Sequence, residues 1–312
     1  MKILFTGGSS FTGSWLIREL AAAGHEVTAT FRREQGAYPD EFRRRRVALA
    51  TERCRPVFGV SFGDDAFVAL AKEGDWDLLA HHAADVTSYK SPDFDVPGAL
   101  SGNTRNARAV LEALTGGGCG RVLLTGSFFE QGEGAGSEGL PAFSAYGLSK
   151  GLTAEAFKHY CRVAGVSLGK FVIPNPFGPL EEPRYTGYLM KTWLAGGTAI
   201  CATPAYVRDN IHASLVAKAY VRFAEQLPKT AGFTRTNPSG YPETQGAFTR
   251  RIAEEMRSRL ELPCAVELAN QTSFPEPRVR INTDVLDAAA LGWDEAAAWD
   301  EFARYYLELL RA

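Results

Sequence analysis

Short apolar runs alternate with amphipathic stretches along the first half of the chain. Helical patterns include Leu16 and Leu20, which lie one turn apart ahead of Gly24, and the stretches 99–114 and 146–164. Between the helical patterns, apolar runs bounded by polar or glycine residues predict β-strands at residues 3–5, 26–31, 56–60, 78–82, 122–125 and 168–173. This alternation predicts an α/β fold with a doubly wound parallel sheet.

Proline changes the character of the chain from Pro174 onward. Four prolines crowd residues 174–183, and more follow before a last helical pattern at residues 295–310. We expect residues 1–173, joined by a segment near 205–235, to form the sheet domain. Residues 174–312 are expected to form mainly a smaller C-terminal lobe that binds the substrate, and the glycine-rich stretch 132–139 a surface loop.

Composition narrows the classes of ligand. The 34 Lys and Arg residues nearly balance the 36 Asp and Glu residues, so no overall field favours nucleic acid or an anionic membrane, and a small molecule is the expected ligand. The five cysteines are scattered without metal-ligand spacing, which predicts neither a zinc site nor a disulfide framework. No apolar run is long enough to span a membrane or to serve as a signal-peptide core, which favours a cytoplasmic protein.

A glycine turn follows the first predicted strand and precedes the first helix. Such a turn lets backbone amides approach a pyrophosphate without obstruction by a Cβ, and the helix N-terminus adds partial positive charge. The sequence therefore predicts dinucleotide binding in a Rossmann-type domain. The residues that we assign to this cofactor site are Gly7, Gly8, Ser10, Phe11, Thr12 and Gly13.

Tyr146 and Lys150 lie four residues apart, and therefore on one face of a helix. A phenol has a pKa near ~10, but a neighbouring ammonium and a bound nicotinamide cation would favour the phenolate and let it exchange a proton with a carbinol or carbonyl. Ser127, at the end of the preceding predicted strand, can hydrogen-bond the same substrate oxygen. These three residues are the predicted catalytic group.

The segment Thr6-Gly7-Gly8-Ser9-Ser10-Phe11-Thr12-Gly13, followed by Tyr146-x-x-x-Lys150, resembles the extended short-chain dehydrogenases/reductases, the family of sugar-nucleotide epimerases, dehydratases and reductases. Ser10 departs from the family's middle glycine, although its hydroxyl could donate to phosphate. The resemblance implies that Asn103 is a fourth catalytic residue, which holds a proton-relay water near the lysine. Asn106 replaces a usual glycine in the same segment.

Further segments resemble the same family and imply more site residues. The H-x-A-A segment implies that His82, Ala83 and Ala84 line the cofactor, with His81 on the opposite face of the strand. An N-x-Y-G-P-like turn and an R-D pair imply that Asn175 and Arg208 contact the diphosphate of a nucleotide-sugar. We place Phe128 with them as a substrate-binding residue, and Arg278 or Arg280 could add a phosphate contact.

The end of the second predicted strand bears on the choice of dinucleotide. Phe31 stands where many NAD-dependent relatives carry aspartate, and Arg32 and Arg33 follow it. Because arginine suits a phosphate, the expected cofactor is NAD(P) with a slight preference for NADP. The run of arginines at residues 43–46 is predicted to be a solvated basic face.

The reaction stays open between two members of the same class. The 4,6-dehydratases carry an acidic pair where this chain has Phe128 and Phe129, and Glu130 would lie on the other face of an extended segment, so dehydration is disfavoured. An NAD(P)-dependent nucleotide-sugar epimerase or reductase remains. The alternatives are an NADPH-dependent reductase of a non-nucleotide carbonyl compound and a non-catalytic dinucleotide sensor. The resemblance also implies a homodimer formed through the helix that carries Tyr146 and the neighbouring helix.

Overall fold

The computed structural model describes residues 1–311. Its strands, in chain order, are β1 (Lys2–Thr6), β2 (Glu26–Phe31), β3 (Arg55–Phe58), β4 (Leu78–His81), β5 (Arg121–Ser127), β6 (Ala135–Gly136), β7 (Ser167–Ile173), β8 (Asn175–Phe177), β9 (Ala199–Cys201), β10 (Val207–His212), β11 (Gly232–Thr236), β12 (Pro238–Ser239), β13 (Tyr241–Thr244), β14 (Val266–Leu268), β15 (Val279–Ile281) and β16 (Asp284–Val285). Its α-helices are α1 (Phe11–Ala22), α2 (Glu41–Thr51), α3 (Asp65–Glu73), α4 (Val96–Asn103), α5 (Ala107–Gly116), α6 (Ala145–Ala164), α7 (Tyr185–Leu194), α8 (Ala213–Gln226), α9 (Gln245–Leu260) and α10 (Glu295–Arg311).

The chain divides into two compact units, the first of which comprises residues 1–133, 140–173 and 217–237. It contains a seven-stranded sheet in the order β11-β7-β5-β4-β1-β2-β3, and every neighbouring pair is parallel. This confirms the predicted Rossmann-type doubly wound sheet. The strand order reverses between β1 and β4, which is where ligands bind at the carboxyl ends of the strands in such sheets.

Apolar side chains on the strands and helices of this unit form its core. Four of the five β1 residues are buried, and Leu16 and Leu20 of α1 are fully buried, as their helical spacing predicts. A second cluster joins Phe67, Leu111 and Phe157 from α3, α5 and α6 to the sheet. Burial of these faces fixes the strand ends that carry the candidate site residues.

The predicted helix 99–114 is wrong as a single element. The structure has two helices, α4 and α5, and Asn106 between them adopts a left-handed conformation with φ of 48°. Its side-chain Nδ2 donates to the Gly63 carbonyl oxygen at 2.7 Å. Asparagine tolerates this conformation better than most residues, so the replacement of the family's glycine by Asn106 was the sequence signal for the break.

The second unit comprises residues 134–139, 174–216 and 238–312, of which the last lies outside the described part. Its main sheet has the order β13-β10-β15-β6, with β8 also paired to β10. Aromatic side chains of Phe177, Phe248 and Trp299 pack together in its core. The prediction of residues 132–139 as loop alone missed the short strand β6, which pairs with β15.

Within residues 1–311, no helix combines the length and the apolar character needed to cross a membrane. The same residues contain no cluster of three or more His, Cys, Asp or Glu side chains arranged to hold a metal ion.

Candidate active site

The glycine turn after β1 leaves no room for side chains. Gly7 has φ of 87°, and a Cβ there would lie 2.8 Å from the Ala83 amide nitrogen at the end of β4. A Cβ on Gly13 would lie 2.2 Å from the Gly7 carbonyl oxygen, and one on Gly8 would lie 2.7 Å from the Ile17 side chain. The turn therefore requires glycine at all three positions.

The N-terminus of α1 fits an anionic group. The amides of Phe11 and Thr12, in the first turn of this helix, donate to no protein acceptor in the part of the chain that the structure describes. Two such amides at the positive end of a 12-residue helix are suited to hold a phosphate group. The residues present therefore fit the pyrophosphate of a dinucleotide.

Ser10 is hydrogen-bonded within the glycine turn. Its hydroxyl donates to the Gly7 carbonyl oxygen at 2.9 Å and accepts from the Gly13 amide at 3.0 Å, so it caps α1. The hydroxyl proton is directed to Gly7 inside the turn, and donation from Ser10 to phosphate stays a prediction. The serine replaces the glycine without opening the turn.

His82 joins three polar side chains at the carboxyl edge of the sheet. Its Nε2 lies 3.0 Å from Ser10 Oγ and 3.1 Å from Thr12 Oγ1, and its Nδ1 lies 2.9 Å from Thr125 Oγ1. Burial, with a contribution from the Lys150 charge, lowers the pKa of His82 to about 3, so the imidazole is neutral. His81 lies on the opposite face, as predicted, and its ring packs against Phe62.

The end of β2 carries both expected arginines at the surface. Phe31 is buried against Phe58, whereas Arg32 and Arg33 are exposed. The prediction of a fully solvated basic run at residues 43–46 is wrong, because Arg46 is fully buried with its guanidinium 5.8 Å from the Phe11 ring centroid. The run of four arginines alone could not show that Arg46 lies on the inward face of α2.

Lys150 ties the first turns of α6 to the end of β5. Its side chain is buried, and its Nζ donates to the Thr125 carbonyl oxygen at 2.5 Å. Burial lowers the pKa of Lys150 to about 8. Tyr146 is half-buried one turn earlier, and the rings of Tyr89 and Phe94 pack against its ring at centroid distances of 5.7 and 6.0 Å. The structure thus brings Tyr146 and Lys150 to the carboxyl edge of the sheet.

The chain turns immediately after Ser127. The Glu130 amide donates to the Ser127 carbonyl oxygen at 3.0 Å, and the Ser127 amide donates to Glu130 Oε1 at 2.7 Å. The assumption of an extended segment was therefore wrong, and Glu130 folds back on Ser127. Phe128 is almost fully buried and stacks on Phe129, so it presents no surface to a substrate, contrary to its assignment as a substrate-binding residue.

Asn103 is the last residue of α4 and its side-chain amide is engaged on both sides. Its Oδ1 accepts from the Asp85 amide at 2.9 Å, and its Nδ2 donates to Thr153 Oγ1 on α6 at 3.3 Å. Its backbone carbonyl oxygen lies 3.2 Å from Nε2 of His81. In this arrangement Asn103 joins α4 to α6 and to the segment after β4.

In the second unit, Arg208 on β10 is buried and makes several contacts. Its guanidinium donates to the Pro277 carbonyl oxygen at 3.0 Å and to Glu276 Oε2 at 3.0 Å, and it stacks over Tyr206. Arg280 on β15 lies in register with it and is fully buried, whereas Arg278 is exposed. Burial and the nearby Arg208 charge lower the pKa of Arg280. Two adjacent buried arginines favour an anionic ligand.

Asn175 and Asp209 serve the same unit in different ways. Asn175 is half-buried at the start of β8, in register with Asn210 of β10. Asp209 is fully buried and accepts from the Gly240 amide at 2.8 Å and the Asn282 amide at 3.1 Å. The aspartate of the R-D pair therefore anchors the backbone around β10.

The sequence pattern of the NAD dependent epimerase/dehydratase family matches residues 3–233, about three quarters of the chain. The chain belongs to this family. It is accordingly an enzyme of the extended short-chain dehydrogenase/reductase type. The match begins in β1 and includes the glycine turn, the Tyr146–Lys150 pair and Arg208.

Individual relatives are distant. The UDP-glucose 4-epimerase of Corynebacterium glutamicum is 24% identical over 94% of this chain and 90% of its own length. The UDP-glucose 4-epimerase of Thermotoga maritima, crystallised with UDP-glucose, has a TM-score of 0.72 at 17% identity and covers 99% of this chain and 100% of its own. The UDP-glucuronic acid 4-epimerase of Bacillus cereus, in complex with UDP-glucuronic acid and NAD, has a TM-score of 0.71 at 17% identity, with coverage of 99% and 100%. These two structures show a shared fold.

Proposed function

We propose that this enzyme is an NAD(P)-dependent epimerase or reductase that acts on a nucleotide-sugar. The observation that carries the proposal is the bond from Lys150 Nζ to the Thr125 carbonyl oxygen. It holds the Tyr146–Lys150 face of α6 at the same sheet edge as the glycine turn, where a bound dinucleotide would meet a substrate hydroxyl.

A bound cofactor would accept or supply the hydride. The residues of the chain have separate roles around it. Tyr146 exchanges a proton with the hydroxyl or carbonyl oxygen of the substrate. The Lys150 ammonium favours the phenolate of Tyr146, and the Ser127 hydroxyl hydrogen-bonds the same substrate oxygen. Asn103 keeps α4 and α6 together through Thr153.

The paired arginines support a diphosphate in the substrate. Arg208 and Arg280 lie side by side on β10 and β15, and their mutual repulsion is relieved by an anion. Asn175 is proposed as a further substrate contact. The UDP-sugars bound or converted by the relatives above have the chemistry that this arginine pair would recognise. The sugar itself stays open.

The proposed cofactor site comprises the glycine turn, His82, Ala83, Ala84, Tyr146 and Lys150. Arg32 and Arg33 are exposed at the end of β2, and the carboxyl end of that strand carries Phe31 instead of an acidic residue that would repel a 2′-phosphate. We therefore propose a slight preference for NADP, although the relative from Bacillus cereus was crystallised with NAD.

Dehydration is disfavoured for a reason of geometry. Glu130 is fully buried and contacts Lys170 and the Ser127 amide, and Phe128 is buried beside it. No acid of the segment 128–130 is therefore available to remove a proton beside a ketone or to protonate a leaving hydroxyl.

Tyr146→Phe tests the proposed chemistry. Removal of the phenol should abolish turnover of UDP-sugars, because proton transfer typically contributes about 10²–10⁴-fold to the rate. Dinucleotide affinity, measured by calorimetry, should change little. Full activity in the variant would contradict the role of Tyr146.

The contact between Arg208 and Glu276 favours a second candidate, a reductase of a non-nucleotide carbonyl compound, because it occupies part of the guanidinium. Thermal unfolding with a panel of nucleoside diphosphates separates the two functions. Stabilisation by one of them supports the nucleotide-sugar function, and stabilisation by none favours the second candidate.

We also propose that the chain forms a homodimer through α6. Leu148 and Leu152 lie one turn apart on this helix and are among its exposed apolar residues. A monomeric mass in light scattering would contradict the dimer.

A further inference from the structure

A buried group of charges lies beside the end of β5. Lys170 of β7, Glu130 and Glu133 are each no more than 4% exposed. Lys170 Nζ contacts Glu130 Oε2 and donates to Glu133 Oε1 at 2.7 Å. Glu133 Oε2 accepts from Asn237 Nδ2 at 2.9 Å and lies 3.3 Å from Arg235 Nη1. Because burying ions is costly even when they are paired, the cluster calls for an explanation beyond stability.

The backbone of β5 is shaped to admit this cluster. A Cβ on Gly126 would lie 2.7 Å from Lys170 Cε and 3.1 Å from Glu130 Oε1. The two side chains therefore pack directly against the strand, one residue before Ser127. A larger residue at position 126 would displace them.

The same strand end carries one contact from the cluster and one from Lys150. Glu130 Oε1 accepts from the Ser127 amide at 2.7 Å, and Lys150 Nζ donates to the Thr125 carbonyl oxygen at 2.5 Å. Ser127, which Glu130 holds, is thus two residues along the strand from Thr125, the acceptor of the lysine that supports Tyr146.

Charges from three directions act on Lys150. Burial lowers its pKa to about 8, the Glu130 carboxylate raises it and the Lys170 ammonium lowers it. His81 and His82 at the end of β4 are both neutral, since burial lowers the pKa of each to about 3. Tyr146 lies one turn before Lys150 on α6 itself. Glu130 is therefore the negative charge that supports the ammonium.

We propose that Glu130 is a positioning residue of the active site, which holds the Ser127 backbone and keeps Lys150 protonated, while Lys170 limits the effect of its charge. This rests on the proposed function for its catalytic consequence, but its electrostatic part is a property of the free protein. The pair sets the pH range over which the Tyr146–Lys150 face is active.

The titration of Lys150 tests the inference without any substrate. Lysine labelled with ¹³C at Cε reports each ammonium by NMR, and the loss of one resonance in Lys150→Arg assigns the signal. Glu130→Gln keeps an acceptor for the Ser127 amide but removes the charge. The Lys150 midpoint should fall by about one pH unit, since a nearby opposite charge typically shifts a pKa by 1–3 units.

A second variant should move the midpoint in the opposite direction. Lys170→Gln combined with Glu133→Gln removes the ammonium that lowers the Lys150 pKa together with its second carboxylate partner. Lys150 is then the counter-charge of Glu130, so its midpoint should rise. Glu133→Gln alone is the matched control: it alters the same cluster without touching Ser127, and the midpoint should not move. If Glu130→Gln does not fold, the rise in the double variant decides the question.

Opposite shifts support the inference, because a loss of structure would not produce them. An unchanged midpoint in the folded variants, or a shift in the same direction in both, would overturn it. If the wild-type protein converts UDP-sugars, the alkaline limb of each variant's pH–rate profile should move with that variant's Lys150 midpoint. If the Lys150 midpoints shift as expected but the protein does not convert UDP-sugars, the proposed function is refuted and the electrostatic role of Glu130 still holds.

Discussion

Gly13→Ala should disrupt the phosphate-binding turn. The added Cβ would lie 2.2 Å from the Gly7 carbonyl oxygen and 2.7 Å from Ser10 Oγ, whereas ordinary van der Waals contact begins near 3.4 Å. A backbone oxygen cannot rotate away as a flexible side chain can. The turn or the first residues of α1 must therefore move by about 1 Å.

The magnitude follows from the two free amides of this helix. A hydrogen bond from the Phe11 or Thr12 amide to a charged phosphate contributes about 1.5–3 kcal/mol. Displacement of both amides should weaken dinucleotide binding by about 3 kcal/mol or more, which is at least about a hundredfold in Kd. Overpacking should also lower the free energy of unfolding by about 1–3 kcal/mol.

Gly102→Ala is the matched control. Gly102 lies in α4, and nothing stands within 4 Å of the position of its Cβ. Alanine is favoured over glycine inside a helix by about 0.5–1 kcal/mol, so this variant should be slightly more stable and bind the dinucleotide normally. Calorimetry with NAD and NADP and urea unfolding measure both effects. Wild-type affinity in Gly13→Ala would refute the assignment of this turn to the pyrophosphate.

Three further predictions concern other parts of the chain. In a fluorescence titration, the double variant Arg32→Ala/Arg33→Ala should bind NADPH about tenfold more weakly and NADH unchanged, since only the 2′-phosphate would contact these side chains. Equal losses of affinity for both cofactors would contradict the NADP preference. Glu276→Gln should tighten UDP binding in calorimetry, because the carboxylate that competes for Arg208 is removed; weaker binding would argue for a structural arginine. Asn106→Ala should lower stability in urea by about 2 kcal/mol through left-handed strain and a lost hydrogen bond, and Asn106→Gly by less; unchanged stability in the alanine variant would contradict this account.

Local spacing was enough to place several elements and the first candidates for the site. The predicted strand 26–31 coincides with β2, and Gly24 has the left-handed φ expected after α1. The glycine turn and the Tyr146–Lys150 pair could also be predicted from the sequence, because a strand, a turn and one helical face each involve only residues that are close in sequence. The parallel sheet followed from their alternation.

Contacts between segments that are distant in sequence could not be predicted from these local patterns. The break at Asn106 depends on Gly63, and Arg208 contacts Glu276, in each case more than 40 residues away along the chain. The charged Lys170 within the buried strand β7 was a signal for a buried partner, yet nothing in the sequence identified Glu130 as that partner.

The residue pattern alone therefore established the α/β class, the parallel sheet and the candidate chemistry of Tyr146, Lys150 and the glycine turn. The folded chain alone revealed that Ser10 caps a helix, that Phe128 is buried and that Glu130 returns to Ser127. The physical reason is that hydrophobic periodicity and turn chemistry are local, whereas the partner of a buried polar group depends on which distant segments share its desolvated surroundings.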